Sequence, residues 1–484
     1  MHPRVAIVGA GFGGIGLGIR LRQAGIDSFT ILEKADGVGG VWRDNTYPGL
    51  TCDIPSHLYS FSFEPKHDWS RRFPARREIL DYLEGCVRKH GLERHLRLGT
   101  AVAEADFDEG EAVWRITTDG DEIEADVLVT ATGQLSRPAY PVIEGLDDFE
   151  GPVFHSGQWD DGVELDGTRV AVLGTGASAI QLVPEIARQV EQLDLYQRSA
   201  PWVLPKPDRP YSAWEQRLYR RLPVLQRLSR AWDFVVYEAL ALLFTRLQPL
   251  KRPLEAAARR RLERDVPDPE LRARLLPDYP LGCKRVLISD EWYPTLQRPN
   301  VEVVGERIAR VGTDRIVTDD GTERPADAII LATGFRATEF LAPMQIRGLE
   351  GRDLNEAWRD GAEAYLGLAV SGFPNLFALY GPNTNLGAGS MVYILESQIA
   401  YVLDSIGALA RSGARYMDVR PEVQRTFNAE LQHRLNGTVW ETGCSNWYRT
   451  ESGKITNNWP GVSSEYRRRT RRLELADYRV AGAG

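Results

Sequence analysis

The chain has 484 residues, which at roughly 150 residues per domain allows about three domains. With 43% hydrophobic and 26% charged residues each domain can bury a core, so disorder does not describe the bulk of the chain. Lys plus Arg total 59 against 67 Asp plus Glu, and the net charge of −8 gives no support to a chain-wide nucleic-acid or anionic-membrane role.

The first residues enter an apolar strand pattern, Val5-Ala6-Ile7-Val8, without a basic n-region or a small-residue cleavage site. This predicts no signal peptide and a cytoplasmic protein. Residues 4–8 read as a strand, 9–14 as a glycine turn, 15–24 as a helix and 28–33 as a second strand, one βαβ unit. Residues 126–130 read as a late strand running into Ala131-Thr132-Gly133. The βαβ plan then recurs: strand 169–173, turn 174–179, helix 180–190 and strand 192–198. Between about 208 and 282 no strand pattern appears, and Arg/Leu-rich helical stretches dominate. From 211 to 264 there are 12 basic and 5 acidic residues, about +7. One reading is an amphipathic element that touches a membrane or acts as a lid; the other, favoured because charges of both signs interrupt the pattern, is a helical subdomain with a solvated basic face. The longest apolar run, 234–244, is broken by Glu238 and is shorter than the ~20 residues a transmembrane helix needs. Strand 327–331 runs into Ala332-Thr333-Gly334, the same tripeptide as in the first unit. Cys52, Cys86, Cys283 and Cys444 have no short spacing, which predicts reduced thiols and no metal site.

The chemistry lies in the two glycine turns. Gly9, Gly11 and Gly14 follow an apolar strand and open a helix, where backbone N–H groups can receive a pyrophosphate. Glu33, 19 residues after Gly14, is placed to accept hydrogen bonds from unphosphorylated ribose hydroxyls, so the first turn suits FAD or NAD. In the second turn Gly174, Gly176 and Ala179 take the equivalent places, Ala being tolerated at the third, and Ser178 beside it is a further cofactor-binding candidate. The residue 19 after Ala179 is Arg198, a cation suited to a 2′-phosphate, so the second site predicts NADPH. FAD with NADPH leaves three outlets for electrons. A disulfide reductase needs a close cysteine pair that the sequence lacks; a quinone or ferredoxin-type reductase is not excluded by composition; an oxygenase needs a dry pocket with a fixed cation.

Phe149-Glu150-Gly151, His155 and Trp159-Asp160 reproduce F-x-G-x3-H-x3-W-[PD], and by this motif the chain resembles the type I Baeyer–Villiger monooxygenases of the flavin-containing monooxygenase superfamily. The similarity continues in order through Gly39-Gly40-Val41-Trp42, Tyr47-Pro48-Gly49, Cys52-Asp53, Tyr59-Ser60, Gln197-Arg198-Ser199, Cys283-Lys284-Arg285, Ala332-Thr333-Gly334-Phe335 and Phe373-Pro374-Asn375, covering essentially the whole chain.

The resemblance implies two Rossmann-like α/β domains, for FAD and NADPH, with a helical insert. The expected boundaries are 1–145 with 335–484 for FAD, 146–207 with 283–334 for NADPH, and 208–282 for the insert. It implies that Arg285 is the active-site cation stabilising a C4a-peroxyflavin and that Asp53 orients it. Val41, Trp42, Arg43, Asp44, Asp53, Tyr59, Val102 and Met391 match positions lining FAD. Lys284, Arg198 and Ser199 match 2′-phosphate ligands, and Trp447 matches a position contacting NADP. His155 is expected in an inter-domain linker, coupling domain rotation to cofactor position. Arg suits the catalytic place because it stays charged when buried. Thr51 stands where relatives often carry Arg, and Pro55 and His57 differ from many ketone-oxidising members. The implied activity is NADPH- and O2-dependent conversion of a ketone to an ester or lactone; the alternatives are sulfur or nitrogen oxygenation, or an NADPH-linked flavoprotein reductase.

Overall fold

The structure, a computed structural model, describes residues 2–482 apart from 442, 443 and 445. Two parallel five-stranded sheets organise it. In the first, the apolar strand Val5–Val8 lies between Phe29–Leu32 and Val127–Thr130, with Leu96–Arg97 and Leu376–Ala378 at the edges. In the second, Arg169–Leu173 lies between Gln192–Tyr196 and Ala328–Leu331, with Val301–Val304 and Val153–His155 at the edges. Each glycine turn therefore leaves the middle strand of its sheet, beside a strand that ends in Ala-Thr-Gly.

The two turns are built alike because one constraint acts on both. Gly9 has φ +108° and a Cβ there would stand 2.6 Å from the Ala131 carbonyl oxygen; Gly174 has φ +110° and a Cβ would stand 2.5 Å from that of Ala332. Only glycine allows this backbone and this approach. The first turn opens the helix Phe12–Gln23, earlier than the sequence pattern predicts, and the second opens Ala179–Ile186. The second helix is shorter than expected; the Gln189 carbonyl bonds the Gly167 amide at 3.0 Å as the chain turns back into the sheet.

Outside the sheets, Val102–Asp108, Val113–Thr118 and Glu122–Ala125 form an antiparallel layer joined by Gln345–Arg347. Residues 137–139 and 334–336, which carry the chain between the two sheets, run side by side: Ala139 N donates to Gly334 O and Arg336 N to Arg137 O, each at 2.9 Å. The region after residue 208 is helical, with Ala213–Arg221, Pro223–Thr245, Arg252–Asp265 and Pro269–Arg274. Ser212 and Glu215 make a reciprocal capping box at the first of these, and Pro223 starts the second at the position where its missing N–H costs nothing. The strands Val203–Leu204 and Leu287–Ile288 pair in parallel and close this segment at its base.

Among the described residues one helix, Met391–Ser412, is long and apolar enough to cross a membrane, and 72% of its most apolar stretch is buried inside the protein. It packs on Phe12–Gln23, where a Cβ at Gly16 would meet Phe61 at 2.8 Å and Ile399 at 2.9 Å. In the C-terminal run 467–472 most arginines are exposed; Arg467 lies over Tyr393 at 4.1 Å, and Arg469 pairs with Glu430 at 2.6 Å.

The cysteine expectation needs correction. Cys52 and Cys86 are buried free thiols, but Cys283 and Cys444 form a disulfide across 161 residues, with Cα atoms 6.3 Å apart. No local spacing could announce it, because tertiary folding alone brings the two segments together.

Candidate active site

The site forms where a loop from the first unit meets the second. Residues 47–53 lean on the helix Ala179–Ile186: Tyr47 Oη donates to Gln181 Oε1 at 3.2 Å and Gln181 Nε2 donates to the Thr51 carbonyl at 2.9 Å. Gly49, at φ +77°, passes so close that a Cβ would stand 2.5 Å from Gln181 O. Burial raises the Tyr47 hydroxyl to about 12, so it stays a neutral donor. Asp53 is thereby carried to the seam between the units, and Tyr237 Oη, from the helix Pro223–Thr245, fixes its carbonyl at 3.1 Å.

Arg285 arrives from the other side. It lies two residues before Leu287–Ile288, whose pairing with Val203–Leu204 sets the chain direction. Its Nε donates to Asp53 Oδ2 at 3.1 Å and its Nη2 bonds the same oxygen. Nη1 makes no hydrogen bond among the described residues, so one donor edge of the guanidinium is left for another acceptor. Asp53 raises the Arg285 pKa against the opposing effect of burial, and the group is a permanent cation. Both side chains keep partial access, 37% for Arg285 and 30% for Asp53, as a reacting centre requires. Tyr380 and Tyr448 stand within its electrostatic reach, and burial raises both phenols, Tyr448 to about 12, so neither adds a negative charge.

The same ribbon gathers the second cation cluster. Lys284 Nζ donates to Ser199 Oγ at 2.7 Å, and Thr175 Oγ1 from the second glycine turn donates to Ser199 O at 3.0 Å. The Lys284 pKa is lowered first by desolvation and next by the positive charge of Arg198. Two cations that repel each other beside a hydroxyl and a glycine turn form a site completed by an anion, which fits the phosphates of NADPH.

The first turn fits FAD on equally local grounds. Glu33 is buried, and its carboxylate accepts from Ala10 N at 2.8 Å and Ala35 N at 3.0 Å, which holds it at the end of its strand. Gly11 and Gly40 face each other so closely that a Cβ on Gly40 would stand 3.2 Å from Gly11 Cα, leaving a groove walled by bare backbone. Beyond it the short helix Val41–Asp44 places Trp42 Nε1 3.1 Å from the Tyr59 hydroxyl, while Arg43 pairs with Asp44 and lies 3.9 Å from Glu33. Met391 opens its helix after Ser390, whose Oγ donates to Leu58 O at 3.1 Å, and Val102 begins the antiparallel layer. Trp447 packs on Tyr448 at 4.4 Å, three residues after the disulfide cysteine. Gly176 and Ser178 lie in the second turn and at the cap of its helix.

His155 is placed differently from expectation. It ends the edge strand Val153–His155 and is fully buried rather than standing in a loose linker. Its Nδ1 accepts from Gly157 N at 2.9 Å, and Phe335 and Tyr140 flank the ring. Burial lowers its pKa, which favours the neutral ring.

Sequence reasoning missed Lys206. Its Nζ lies 2.6 Å from Thr51 Oγ1, and its pKa is lowered by burial. A cation from another segment thus stands beside Thr51, two residues before Asp53. The run Lys206-Pro207-Asp208 offered no motif to reveal it.

A family model described as pyridine nucleotide-disulphide oxidoreductase matches residues 6–221. The chain is similar to a Baeyer–Villiger monooxygenase of Streptomyces coelicolor, 46% identical over 99% of this chain and 93% of the relative. Among solved structures it is similar to an oxidized steroid monooxygenase bound to NADP, with TM-score 0.89 and 32% identity over all of both chains. It is also similar to the OTEMO complex with FAD and NADP, with TM-score 0.89 and 27% identity over 99% of this chain and 100% of that one. Together with the site just described, these place the chain in the Baeyer–Villiger monooxygenase family, the FAD- and NADP-dependent flavoprotein monooxygenases that its motifs resemble.

Proposed function

We propose that this enzyme converts a small-molecule ketone to an ester or lactone, with Arg285 and Asp53 as the residues that make the oxygen transfer productive. FAD, when bound and reduced by NADPH, activates O2 and delivers one oxygen atom to the substrate, the other leaving as water. The observation that carries the reading is the Arg285–Asp53 pair at the seam of two dinucleotide turns. Asp53 engages Nε and Nη2 and holds the guanidinium plane; Nη1 remains to bind developing negative charge on oxygen. A preorganised donor of this kind is typically worth about 3–4 kcal/mol in the transition state.

In this reading Gly9, Gly11, Gly14, Glu33, Val41, Trp42, Arg43, Asp44, Tyr59, Val102 and Met391 bind FAD. Gly174, Gly176, Ser178, Arg198, Ser199 and Lys284 bind NADPH, with Trp447 contacting its far side. The FAD domain comprises 1–145 and 335–484, the NADPH domain 146–207 and 283–334, and 208–282 is the helical insert. The enzyme works in the cytoplasm, where NADPH is supplied. The experiment is product analysis with a panel of ketones and sulfides under NADPH and O2. Esters or lactones support the reading, and sulfoxides as the sole products would replace it with heteroatom oxygenation.

A further inference from the structure

Over its first half the helix Pro223–Thr245 turns polar side chains inward, while its second half buries Ala241 and Phe244 in the core. In the first half Gln226 Nε2 donates to Lys66 O at 2.7 Å, Arg230 Nη1 to the His57 and Ser60 carbonyls at 2.7 and 2.8 Å, and Asp233 accepts from Arg72 at 3.1 Å. Its outward face is apolar, with Val224, Leu228, Trp232 and Val235 exposed at 55%, 61%, 67% and 58%. At about 100° per residue these four fall within roughly 40° of one line, a stripe of about 17 Å. Trp214 on the preceding helix and Leu247 and Leu250 beyond the end are also exposed. Of the 16 large apolar side chains exposed among the described residues, 9 lie between 214 and 250, so exposed apolar surface is concentrated in this segment.

The surroundings of the patch are cationic. Four of the segment's five acidic side chains are already engaged: Glu215 with Arg209, Asp233 with Arg72, Glu238 with Ser463 and Ser464, and Glu255 with Arg259. Arg217, Arg221, Arg227 and Arg252 are exposed and make no ion pair among the described residues, in a chain of net charge −8. The exposed arginines agree with the solvated basic face that the charge pattern predicts; the fold adds an apolar stripe turned to solvent in the same segment.

We propose that this face docks the enzyme reversibly on an anionic lipid surface. An exposed apolar stripe with Trp232 at its centre, a second exposed tryptophan on the preceding helix and unpaired arginines in the same segment has the composition of an element lying in the plane of a bilayer interface. A second copy fits less well, because a two-fold pairing of this face would bring two sets of unpaired arginines into one interface. Tyr237, on the inward side of the same helix, bonds Asp53, so docking holds the catalytic seam within about one helix diameter, ~10 Å, of the lipid.

The test is flotation of the full-length flavin-loaded enzyme with vesicles of phosphatidylcholine containing about 30% phosphatidylglycerol, compared with pure phosphatidylcholine. The expected result is binding to the anionic vesicles that drops at least about tenfold in 0.5 M salt and also in the double variant Leu228→Glu/Trp232→Glu. The variant should keep its flavin spectrum and NADPH oxidation, which separates loss of docking from loss of folding. Absence of binding to anionic vesicles, equal binding to neutral ones, or binding unchanged in the folded variant would each overturn the proposal. Self-association of the wild type that the variant abolishes, without vesicle binding, would overturn it in favour of a second copy.

Discussion

Asp53 and Arg285, 232 residues apart, share one carboxylate oxygen: Oδ2 accepts from Nε at 3.1 Å and also from Nη2. Neither residue belongs to a regular element. Asp53 is held through the Thr51–Gln181 and Tyr237 bonds, and Arg285 through the ribbon Leu287–Ile288. The pair is therefore a product of both units and the helical insert together, and its geometry reports whether all three are correctly docked.

Arg285→Ala removes the free donor edge while leaving both glycine turns intact. Flavin reduction by NADPH should persist, and oxygenated product should fall by about 10²–10³-fold, with the electrons appearing as hydrogen peroxide. Parallel assays of NADPH consumption, peroxide and product check this; undiminished product would remove Arg285 from the chemistry.

Arg198 and Lys284 are read as a phosphate clamp, a role their mutual repulsion supports. In Arg198→Ala the preference for NADPH over NADH should shrink by about 1–3 kcal/mol, the scale of a charge-assisted pairing. The ratio of kcat/KM for the two cofactors measures it, and an unchanged ratio would exclude Arg198 from the site.

His57 ties the first unit to the helical insert: Nδ1 meets Ser229 Oγ at 3.0 Å and the ring stacks on Tyr211. Burial, then the charge of Arg230, lowers its pKa from 6.5 to about 4. Between those values the unfolded chain binds a proton that the folded one refuses, so stability rises with pH across this window and is lost as pH falls from about 6.5 to 4. The full effect is about 3 kcal/mol. Melting temperatures of wild type and His57→Asn across that range check it: the variant should lack this component of the slope, and parallel curves would contradict the assignment.

The Cys283–Cys444 disulfide connects the Arg285 loop to the Trp447 segment. Reduction, or Cys444→Ser, should lower unfolding free energy by about 2–4 kcal/mol. Denaturant titrations with and without reductant measure this; identical midpoints, with all four cysteines titrating as thiols in the unfolded protein at the outset instead of Cys52 and Cys86 alone, would show that the bond does not form in solution.

The sequence made the repeated parts of this molecule legible. Both glycine turns, the middle strand of each sheet and the paired Ala-Thr-Gly ends obey local rules of spacing and backbone strain, so Gly9 and Gly174 could be read directly. Arg285 and Asp53 emerged only through family resemblance, because a contact across 232 positions leaves no periodic trace. The disulfide and Lys206 had no signal of either kind. The exposed apolar stripe of the helix Pro223–Thr245 left no trace in a charge count for a definite reason: Gln226 and Asp233 take buried places on the opposite face, and Arg230 points inward with them.

The central claim is tested most directly by incubating the enzyme with NADPH and a ketone panel under 18O2 and analysing products by mass spectrometry. An ester or lactone carrying one 18O atom, formed by the wild type and lost in Arg285→Ala, is the predicted result. Hydrogen peroxide accounting for all NADPH consumed, with no labelled ester from any ketone, would contradict it.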